Sequence, residues 1–400
     1  MRISLLVKRE PFGNIFAQTL KRYWRQRHGL HIEVAWGTST LEQRWWGNSY
    51  LNFFANAAVK PSAFEVLRRE YSHSRVKWRR PIQSAYVSLA TRHPYLRWLS
   101  DITFSVSPAL PATKDLLILG GNHRLRLLAP ADGRSTVILK EGFASDHLTK
   151  ELQLRTLLNP RCAPKLFEHE PHQGWFEEEY FAGTPINRIP RDQELKHQQD
   201  AAMTIWQQVV APTLSDVPVG YWTESLLGKI KTLAETTSAS GGVAIVGIAA
   251  RLASAIQAAA KHSTIPVAWT HGDLQEANIV VNQSRSCVID WEAADIRFAA
   301  YDFFQLATGG RWTDDAWVTR VVGAVNGTEV RLADWLASMP EMHLPGPIPV
   351  WWGLAYVLEE LWFRAREGAE SIFYHPGAGW PEVARSAELA LVALEEGRLS

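Results

Sequence analysis

Three polar side chains suited to phosphate chemistry lie close together in HGDLQEANIVVNQSRSCVIDWEAAD, residues 271–295. Asp273, Asn278 and Asp290 stand at the ends of two short apolar runs, residues 277–281 and 287–289. These runs are rich in β-branched residues and flank the polar stretch 282–286, a pattern typical of a β-hairpin. We expect the hairpin to bring Asn278 and Asp290 together.

The expected grouping fits a metal-bound triphosphate. Mg²⁺ prefers hard oxygen ligands, so the amide oxygen of Asn278 and the carboxylate of Asp290 make a suitable pair. Asp273 would then remain to orient a hydroxyl group and accept its proton late in phosphoryl transfer. The alternative is that all three residues only cap turns around a hairpin, where Asp and Asn are common.

The motifs HGDLQEAN and VIDWEAAD resemble the catalytic loop and the metal-binding segment of the aminoglycoside phosphotransferase and choline kinase family. Asp273 precedes Asn278 by five residues, as in the catalytic loop of protein kinases, and Gly272 in place of arginine indicates the small-molecule branch. The resemblance implies an α+β, two-lobed protein-kinase-like fold with a small β-rich N-lobe and a larger helical C-lobe. It also implies ATP and Mg²⁺ as cofactors.

Residues upstream match the nucleotide-binding parts of the same family. LGGNHRLRLL resembles the family's phosphate-covering hairpin and offers Gly120, Gly121 and Asn122 at its turn, where glycine lets backbone N–H groups approach phosphate. The resemblance implies that Lys140 contacts the phosphates and that Glu151 holds this lysine. Each of these residues also has a structural alternative. Lys140 could be an ordinary surface lysine, Glu151 a solvated glutamate on a helix, and Asn122 an asparagine that suits a tight turn.

Three further parts of the resemblance concern adenine and the catalytic loop. EEEYFAGTPI resembles the strand between the lobes, which implies backbone contacts from Glu179, Tyr180 and Phe181 to the adenine edge. DIRFAAYDFFQL implies that Asp302 is the buried carboxylate that braces the catalytic loop. His271, included among the catalytic candidates, is expected to hold this loop by hydrogen bonds rather than to titrate.

Acceptor-binding residues are harder to choose. VWWGLAYVLEELWFRARE contains aromatic and acidic residues that could enclose a cationic amine, but their helical spacing favours a core face. Glu292 and Asp295 are the better candidates, although either suits a solvated loop. The candidates for such an enclosure in that stretch are Trp352, Tyr356, Glu359, Glu360 and Trp362.

Composition limits the class of protein. The length of 400 residues predicts two or three compact units. A content of 46% hydrophobic residues with 18 Trp indicates a globular chain, neither disordered nor fibrous. Cys162 and Cys287 are too few for a disulfide framework or a cysteine metal site, which fits a reducing compartment, and we expect the cytoplasm. MRISLLVKRE has too short an apolar run for a signal peptide, and residues 241–260 predict a soluble helix.

Charge is distributed unevenly along the chain. Residues 1–110 hold 17 Lys and Arg against 6 Asp and Glu, or +11, and the other 290 residues hold 25 against 35, or −10. The basic part either docks on the acidic remainder of the chain or contacts an anionic surface or glycan. We favour docking within the chain because the basic part is rich in tryptophan. The run RVKWRR, residues 75–80, lies in no recognised nucleic-acid module, so we expect no specific nucleic-acid binding.

The patterns along the chain predict three segments: a basic, Trp-rich extension (1–105), a nucleotide-binding N-lobe (106–182) and a helical C-lobe (183–400). The extension should begin strand, helix, strand, starting with the strand RISLLV, and a helix should cover residues 145–158. Beyond Gly183 we expect helices apart from the hairpin.

The sequence therefore predicts an ATP- and Mg-dependent phosphotransferase that acts on a hydroxyl of a small molecule: a sugar, an aminoglycoside-like compound or an amino-alcohol. Transfer onto a protein side chain is a second enzymatic hypothesis. A different class remains open, namely a catalytically silent nucleotide-binding scaffold or sensor that uses the basic region for interaction.

Overall fold

The computed structural model describes residues 2–37, 41–71, 78–237, 239, 241–310, 315–328, 332–339 and 347–396. The chain divides into two compact units. The first unit contains residues 1–152 and 164–184, and the second contains residues 153–163 and 185–400. The first is rich in strands and the second in helices, which confirms the predicted α+β class.

A nine-stranded sheet forms the centre of the first unit, in the order β1-β4-β2-β3-β5-β6-β7-β9-β8 with every described pairing antiparallel. Its strands are β1 (Glu33–Trp36), β2 (Gln43–Asn48), β3 (Phe53–Asn56), β4 (Ile102–Ser107), β5 (Leu117–Gly120), β6 (Arg124–Ala129), β7 (Arg134–Leu139), β8 (Leu166–Glu170) and β9 (Trp175–Glu179).

The first six helices precede β8 in the chain. They are α1 (Ile3–Arg9), α2 (Phe12–His28), α3 (Glu65–Tyr71), α4 (Arg79–Ala90), α5 (His93–Leu96) and α6 (Asp146–Leu158). One face of α2 packs on the sheet, because Phe16 and Leu20 belong to the same buried cluster as Ile138 and Trp175. A second cluster joins α3 and α4 to β3 and β5.

The predicted boundary at residue 105 does not separate two compact bodies. Strands β1 to β4 come from residues 1–105, and β3 pairs with β5 through Phe53 opposite Leu119. The extension and the predicted N-lobe therefore share one sheet. The expected strand RISLLV is wrong, since residues 3–9 form α1, whereas the helix and the strand that follow are correct.

The second unit packs helices around one large buried cluster. Two small sheets, β10-β13-β14 and β11-β12-β15, complete it. Its strands are β10 (Thr184–Pro185, of which Pro185 is the residue in this unit), β11 (Ser215–Pro218), β12 (Thr264–Thr270), β13 (Ile279–Val281), β14 (Ser286–Val288) and β15 (Asp295–Phe298). Its helices are α7 (Arg191–Ile205), α8 (Val219–Thr237), α9 (Gly242–Ala260), α10 (Tyr301–Ala307), α11 (Asp315–Asn326), α12 (Leu332–Ala337), α13 (Val350–Gly368) and α14 (Trp380–Glu396).

Among the described residues, α9 alone has the length and apolar composition that crossing a membrane requires. Its Ile245, Leu252 and Ile256 are buried in the main cluster of the second unit, together with residues of α8, α13 and α14. The core helix of a soluble protein has the same features, so α9 is weak evidence for a membrane span.

Candidate functional site

Two paired strands position the segment singled out in the sequence. β12 ends at Thr270 and pairs antiparallel with β15, where Thr270 lies opposite Asp295. The hydroxyl of Thr270 donates to the carbonyl oxygen of Asp295 at 2.9 Å, which fixes this end of the strand pair. Residues 271–294 form an excursion between the two strands, and the predicted hairpin appears within it as β13 and β14.

Asp302 holds the start of this excursion. Its carboxylate accepts hydrogen bonds from the backbone N–H of His271 at 2.6 Å and of Gly272 at 2.8 Å. Burial raises the pKa of Asp302 to about 6, although these two hydrogen bonds and the nearby Arg297 favour the charged form. The predicted bracing contact is therefore present in the structure.

Gly272 occupies a position where no other residue fits without rearrangement. Its φ is +79°, and a β-carbon there would collide with the carbonyl oxygen of Ala293 and with the Arg297 side chain. Arg297, a residue that the sequence analysis missed, is buried and donates to Ala293 at 2.8 Å and to the Thr270 hydroxyl at 3.1 Å. The loop backbone is thus packed tightly against a buried cation.

His271 uses both ring nitrogens on the backbone. Its Nε2 lies 3.0 Å from the carbonyl oxygen of Ile289, and its Nδ1 accepts from the N–H of Asp273 at 3.2 Å. A carbonyl can only accept, so this arrangement assigns the proton to Nε2. The ring also packs edge-on against Trp291 at 4.5 Å. These contacts favour a role in holding the loop over proton transfer.

Asp273 is buried and receives hydrogen bonds from two side-chain amides. Asn278 donates to its Oδ2 at 3.0 Å and to its backbone carbonyl at 2.9 Å. Gln275 donates to both carboxylate oxygens at 3.1 Å, which makes it a further residue of this site. The sequence analysis did not select Gln275, although it lies in the motif HGDLQEAN. Its position two residues after Asp273 was the signal that could have identified it.

The hairpin brings Asp290 close to Asn278. Ile279 lies opposite Val288, and the N–H of Ile289 donates to the carbonyl of Asn278 at 2.9 Å. Asp290 is the next residue after Ile289. The amide nitrogen of Asn278 is held by Asp273, which leaves its amide oxygen as the atom for a cation. Asp290 is exposed and has a left-handed backbone. The donors are oxygens, as Mg²⁺ requires.

The aromatic and acidic residues of α13 face the interior. Glu359 accepts from the N–H of Phe298 at 3.3 Å, and Glu360 accepts from the hydroxyl of Tyr301. Burial raises the pKa of Glu359 to about 7. Tyr356 is also fully buried, so this helix face agrees with the core interpretation rather than with an amine-binding box.

The two loop acids proposed for the acceptor differ in their contacts. Asp295 caps the N–H of Ile296 at 2.9 Å and lies 3.5 Å from Arg366, and Glu292 is half-buried.

In the first unit, the predicted phosphate turn has its carbonyl groups occupied. Gly120, Gly121 and Asn122 accept from Asn52 (2.8 Å), Lys140 (3.2 Å) and Arg9 (3.4 Å), respectively. Within the described part of the chain, no hydrogen-bond acceptor meets the backbone N–H of Gly121 or Asn122. Such N–H groups suit an anion, so the turn fits a phosphate.

Lys140 and Glu151 each contact a residue that the sequence analysis did not select. The ammonium group of Lys140 donates to the carboxylate of Glu10, and both side chains are fully buried. Glu151 accepts from the guanidinium group of Arg124, which also donates to the carbonyl of His147. Glu10 carried a signal, because it is the only acidic residue among the first 32.

The residues predicted to contact adenine use their N–H groups within the first unit. The N–H of Glu179 donates to the carbonyl of Lys165 at 2.8 Å, and that of Tyr180 donates to Gly133 at 2.8 Å. The N–H groups of these two residues are therefore already used as donors to other backbone carbonyl groups. Phe181 follows them and is half-buried. The adenine contact stays a prediction.

Some basic residues of the extension contact carboxylates of the same unit. Arg22 donates to Glu141 at 2.6 Å, and Arg27 donates to Glu177 at 2.7 Å and to Glu168 at 2.9 Å. These ion pairs support docking within the chain for α2. Of the run at residues 75–80, residues 75–77 lie outside the described residues, whereas Arg79 and Arg80 are exposed on α4.

Comparison with solved structures finds similar chains at low sequence identity. A choline/ethanolamine kinase family protein from Mesorhizobium loti is 16% identical, with 72% of this chain and 96% of that chain covered and a TM-score of 0.40. Choline kinase from Cryptosporidium parvum is 12% identical, with 72% of this chain and 88% of that chain covered and a TM-score of 0.44. An ADP-bound aminoglycoside phosphotransferase is 12% identical, with 70% of this chain and 93% of that chain covered and a TM-score of 0.42.

The sequence comparison is more specific. No curated protein matches the chain. Residues 187–337 match the sequence model of the phosphotransferase enzyme family, and this range includes the catalytic-loop motif, the hairpin and Asp302. This match confirms the resemblance inferred from the sequence.

Proposed function

We propose that this protein transfers the γ-phosphoryl group of ATP, with Mg²⁺, to a hydroxyl group of a small molecule. The observation that carries the proposal is the geometry of Asp273, whose carboxylate is held by Gln275 and by the amide nitrogen, not the amide oxygen, of Asn278. A fixed carboxylate beside an oxygen ligand for a cation is the pair that phosphoryl transfer needs.

Each residue has a separate task in this mechanism. Asp273 orients the acceptor hydroxyl at a carboxylate oxygen and takes its proton late in the transfer. Asn278 and Asp290 hold the magnesium ion, which supplies charge screening of the phosphate oxygens when it is bound. Asp302 and His271 hold the loop backbone, so Asp273 does not have to be ordered during the reaction.

In the first unit, three groups are proposed to donate hydrogen bonds to the nucleotide phosphates. They are the backbone N–H groups of Gly121 and Asn122 and the ammonium group of Lys140. Glu179, Tyr180 and Phe181 are the proposed adenine contacts. The proposed acceptor is a sugar, an aminoglycoside-like compound or an amino-alcohol, and the names of similar chains, which include a choline kinase and a glucosamine kinase, support this class. Because Glu359 and Glu360 are used in the core, Glu292 and Asp295 are the acids that we propose for an amine-bearing acceptor.

Thermal unfolding with ATP, with and without Mg²⁺, tests cofactor use. A ligand at about a hundred times its dissociation constant stabilises the folded protein by about 2.7 kcal/mol. We expect ATP with Mg²⁺ to raise the melting temperature of the wild type, and Asp290→Asn to lose most of the Mg²⁺-dependent part. Asp216→Asn, an exposed aspartate on β11, is the matched control.

The competing hypothesis is a catalytically silent nucleotide-binding scaffold. A panel of sugars, aminoglycosides and amino-alcohols separates the two hypotheses when ADP release is measured with each compound. Mg²⁺-dependent ATP binding without ADP release above the water background on any compound would favour the scaffold.

An anionic surface contact for the basic region belongs to the same proposal as a secondary role. On α4 and the residue before it, Trp78, Ile82, Ala85 and Leu89 follow one helical stripe and are exposed. No acidic residue occurs between Glu70 and Asp101. Exposed apolar side chains with neighbouring arginines suit an anionic bilayer. Salt-sensitive sedimentation with phosphatidylserine vesicles, reduced by Ile82→Ser but not by Val243→Ser on α9, would support this contact.

A further inference from the structure

The lysine proposed to bind the nucleotide phosphates is enclosed by residues of the N-terminal segment. Lys140 is fully buried, and its ammonium group donates to the carboxylate of Glu10 and to the carbonyl of Gly121. The aromatic rings of Phe12 and Phe143 lie 5.7 and 4.5 Å from the ammonium nitrogen. A buried ammonium group keeps its charge only when an anion pairs with it. Glu10 supplies that anion.

The helical glutamate expected to hold this lysine has another strong partner. Glu151 lies on α6 and accepts from Arg124, and both side chains are buried. Arg124 opens β6, immediately after the turn that is proposed to bind phosphate. The first unit thus contains two buried ion pairs near the turn, Glu10 with Lys140 and Glu151 with Arg124.

The backbone of Glu10 is fixed in this position. Glu10 caps the C-terminus of α1, and its N–H donates to the carbonyl of Leu6 at 3.0 Å, while its own carbonyl accepts from the N–H of Phe12 at 2.7 Å. These bonds fix the point from which the side chain extends, and the side chain itself is fully buried against Lys140.

The same segment also contacts the phosphate turn. Ile3 and Leu6 of α1 are buried, and a β-carbon at Gly120 would lie 2.8 Å from Ile3 and 3.2 Å from Leu6. Arg9 donates to the carbonyl of Asn122 at 3.4 Å and lies 3.6 Å from Glu10. Residues 3–12 therefore pack against both proposed phosphate-binding elements of the unit.

We propose that Glu10 is the positioning residue that holds Lys140 for the nucleotide phosphates, so that the nucleotide site includes the N-terminal segment. This inference rests on the proposed function, and it adds Glu10 to the residues expected to hold the lysine. The carboxylate fixes the direction of one N–H bond of the ammonium group and the Gly121 carbonyl fixes another. The phosphate turn and the lysine are then held in register by one segment.

Titrating ATP into Glu10→Gln, with Mg²⁺ present, tests the proposal. Glutamine keeps the size and an acceptor oxygen but removes the charge, and a hydrogen bond between charged groups is stronger than one to a neutral group. We expect the dissociation constant for ATP to rise by about tenfold, with the KM for the acceptor unchanged. Glu33→Gln, an exposed glutamate of the same extension that pairs with Lys21, should leave ATP binding unchanged.

A purely structural role for Glu10 predicts a different pattern. The double variant Glu10→Gln/Lys140→Met removes both charges of this ion pair, so its melting temperature should recover relative to Glu10→Gln. If Glu10 acts only on folding, Glu10→Gln should bind ATP with wild-type affinity at a temperature well below its melting point, where the variant is folded. We expect its ATP affinity to stay about tenfold lower than that of the wild type at that temperature.

Two results overturn the role of Glu10 and leave the proposed function standing. Wild-type ATP affinity in Glu10→Gln would show that the carboxylate does not position the lysine. Tighter ATP binding in that variant would show that Glu10 competes with the phosphates and blocks the site. By contrast, absence of Mg²⁺-dependent ATP binding in the wild type would refute the proposed function itself.

Discussion

The catalytic loop of the second unit and the phosphate turn of the first unit are built by different rules. In the loop, Asp273 is held by Gln275 and Asn278, two and five residues away. At the turn, Lys140 is held by Glu10, which lies 130 residues away in the chain. Contacts within a loop follow from the local motif, whereas the partner of a buried charge depends on which elements the fold brings together.

The largest effect is expected in the loop. Asp273→Asn removes the proton acceptor and keeps the shape, so turnover should fall by about two to four decades, while the dissociation constant for ATP should change little. Steady-state kinetics and ATP titration measure the two quantities. Asp216→Asn controls for loss of an aspartate elsewhere in the second unit. Turnover near the wild-type value in Asp273→Asn would remove this residue from the reaction.

Gly272→Ala tests how tightly the loop is packed. The new β-carbon would meet the Ala293 carbonyl and Arg297 in addition to the unfavourable φ of +79°. We expect a loss of unfolding free energy of about 3 kcal/mol or more, measured by denaturant unfolding. Gly29→Ala, at φ +63° with nothing nearby, adds backbone strain alone and should cost about 1 kcal/mol. Equal losses in the two variants would contradict the steric argument.

The core of the second unit should show an unusual pH dependence. Burial raises the pKa of Glu359 from 4.5 to about 7, so the folded state retains its proton where the unfolded state has lost it. The contribution of this carboxyl to unfolding free energy therefore falls as the pH rises from 4.5 to 7, by about 3 kcal/mol. Unfolding of Glu359→Gln across this range should lack that decline. Parallel curves for the variant and the wild type would refute the raised pKa.

The smallest effect is expected at Gln275. Gln275→Ala removes the hydrogen bonds to both oxygens of Asp273, so turnover should fall by about tenfold with ATP binding retained. Gln257→Ala, another amide of the second unit, which donates to the Thr223 hydroxyl between α9 and α8, is the control for general destabilisation. An equal fall in both variants would mean that Gln275 acts through stability and not through the aspartate.

The parts of the structure that the sequence predicted are those with local determinants. The hairpin, helix α6 and the bracing contact of Asp302 follow from turn chemistry, a helix-start signal and a recognised motif. Strand β12, TIPVAWT, was missed although its residues favour strands, because the surrounding segments are helical.

Other features depended on tertiary contacts. RISLLV forms α1 because Ile3 and Leu6, three residues apart, are buried on one helix face. The ion pair between Glu10 and Lys140 and the sheet that joins residues 1–105 to the predicted N-lobe depend on long-range pairing, which a local pattern does not specify. The sequence therefore anticipated more of the contacts within the second unit's loop than of those around the first unit's turn.

Phosphoryl transfer itself tests the central claim most directly. ATP labelled at the γ-phosphate, with Mg²⁺, is incubated with the wild type and with Asp273→Asn over a panel of sugars, aminoglycosides and amino-alcohols. We predict that the wild type transfers the label to a hydroxyl of at least one compound, that the transfer requires Mg²⁺, and that Asp273→Asn lowers it by at least about a hundredfold. Label transfer by Asp273→Asn at the wild-type rate, or no labelled product with the wild type across the panel, would contradict the account.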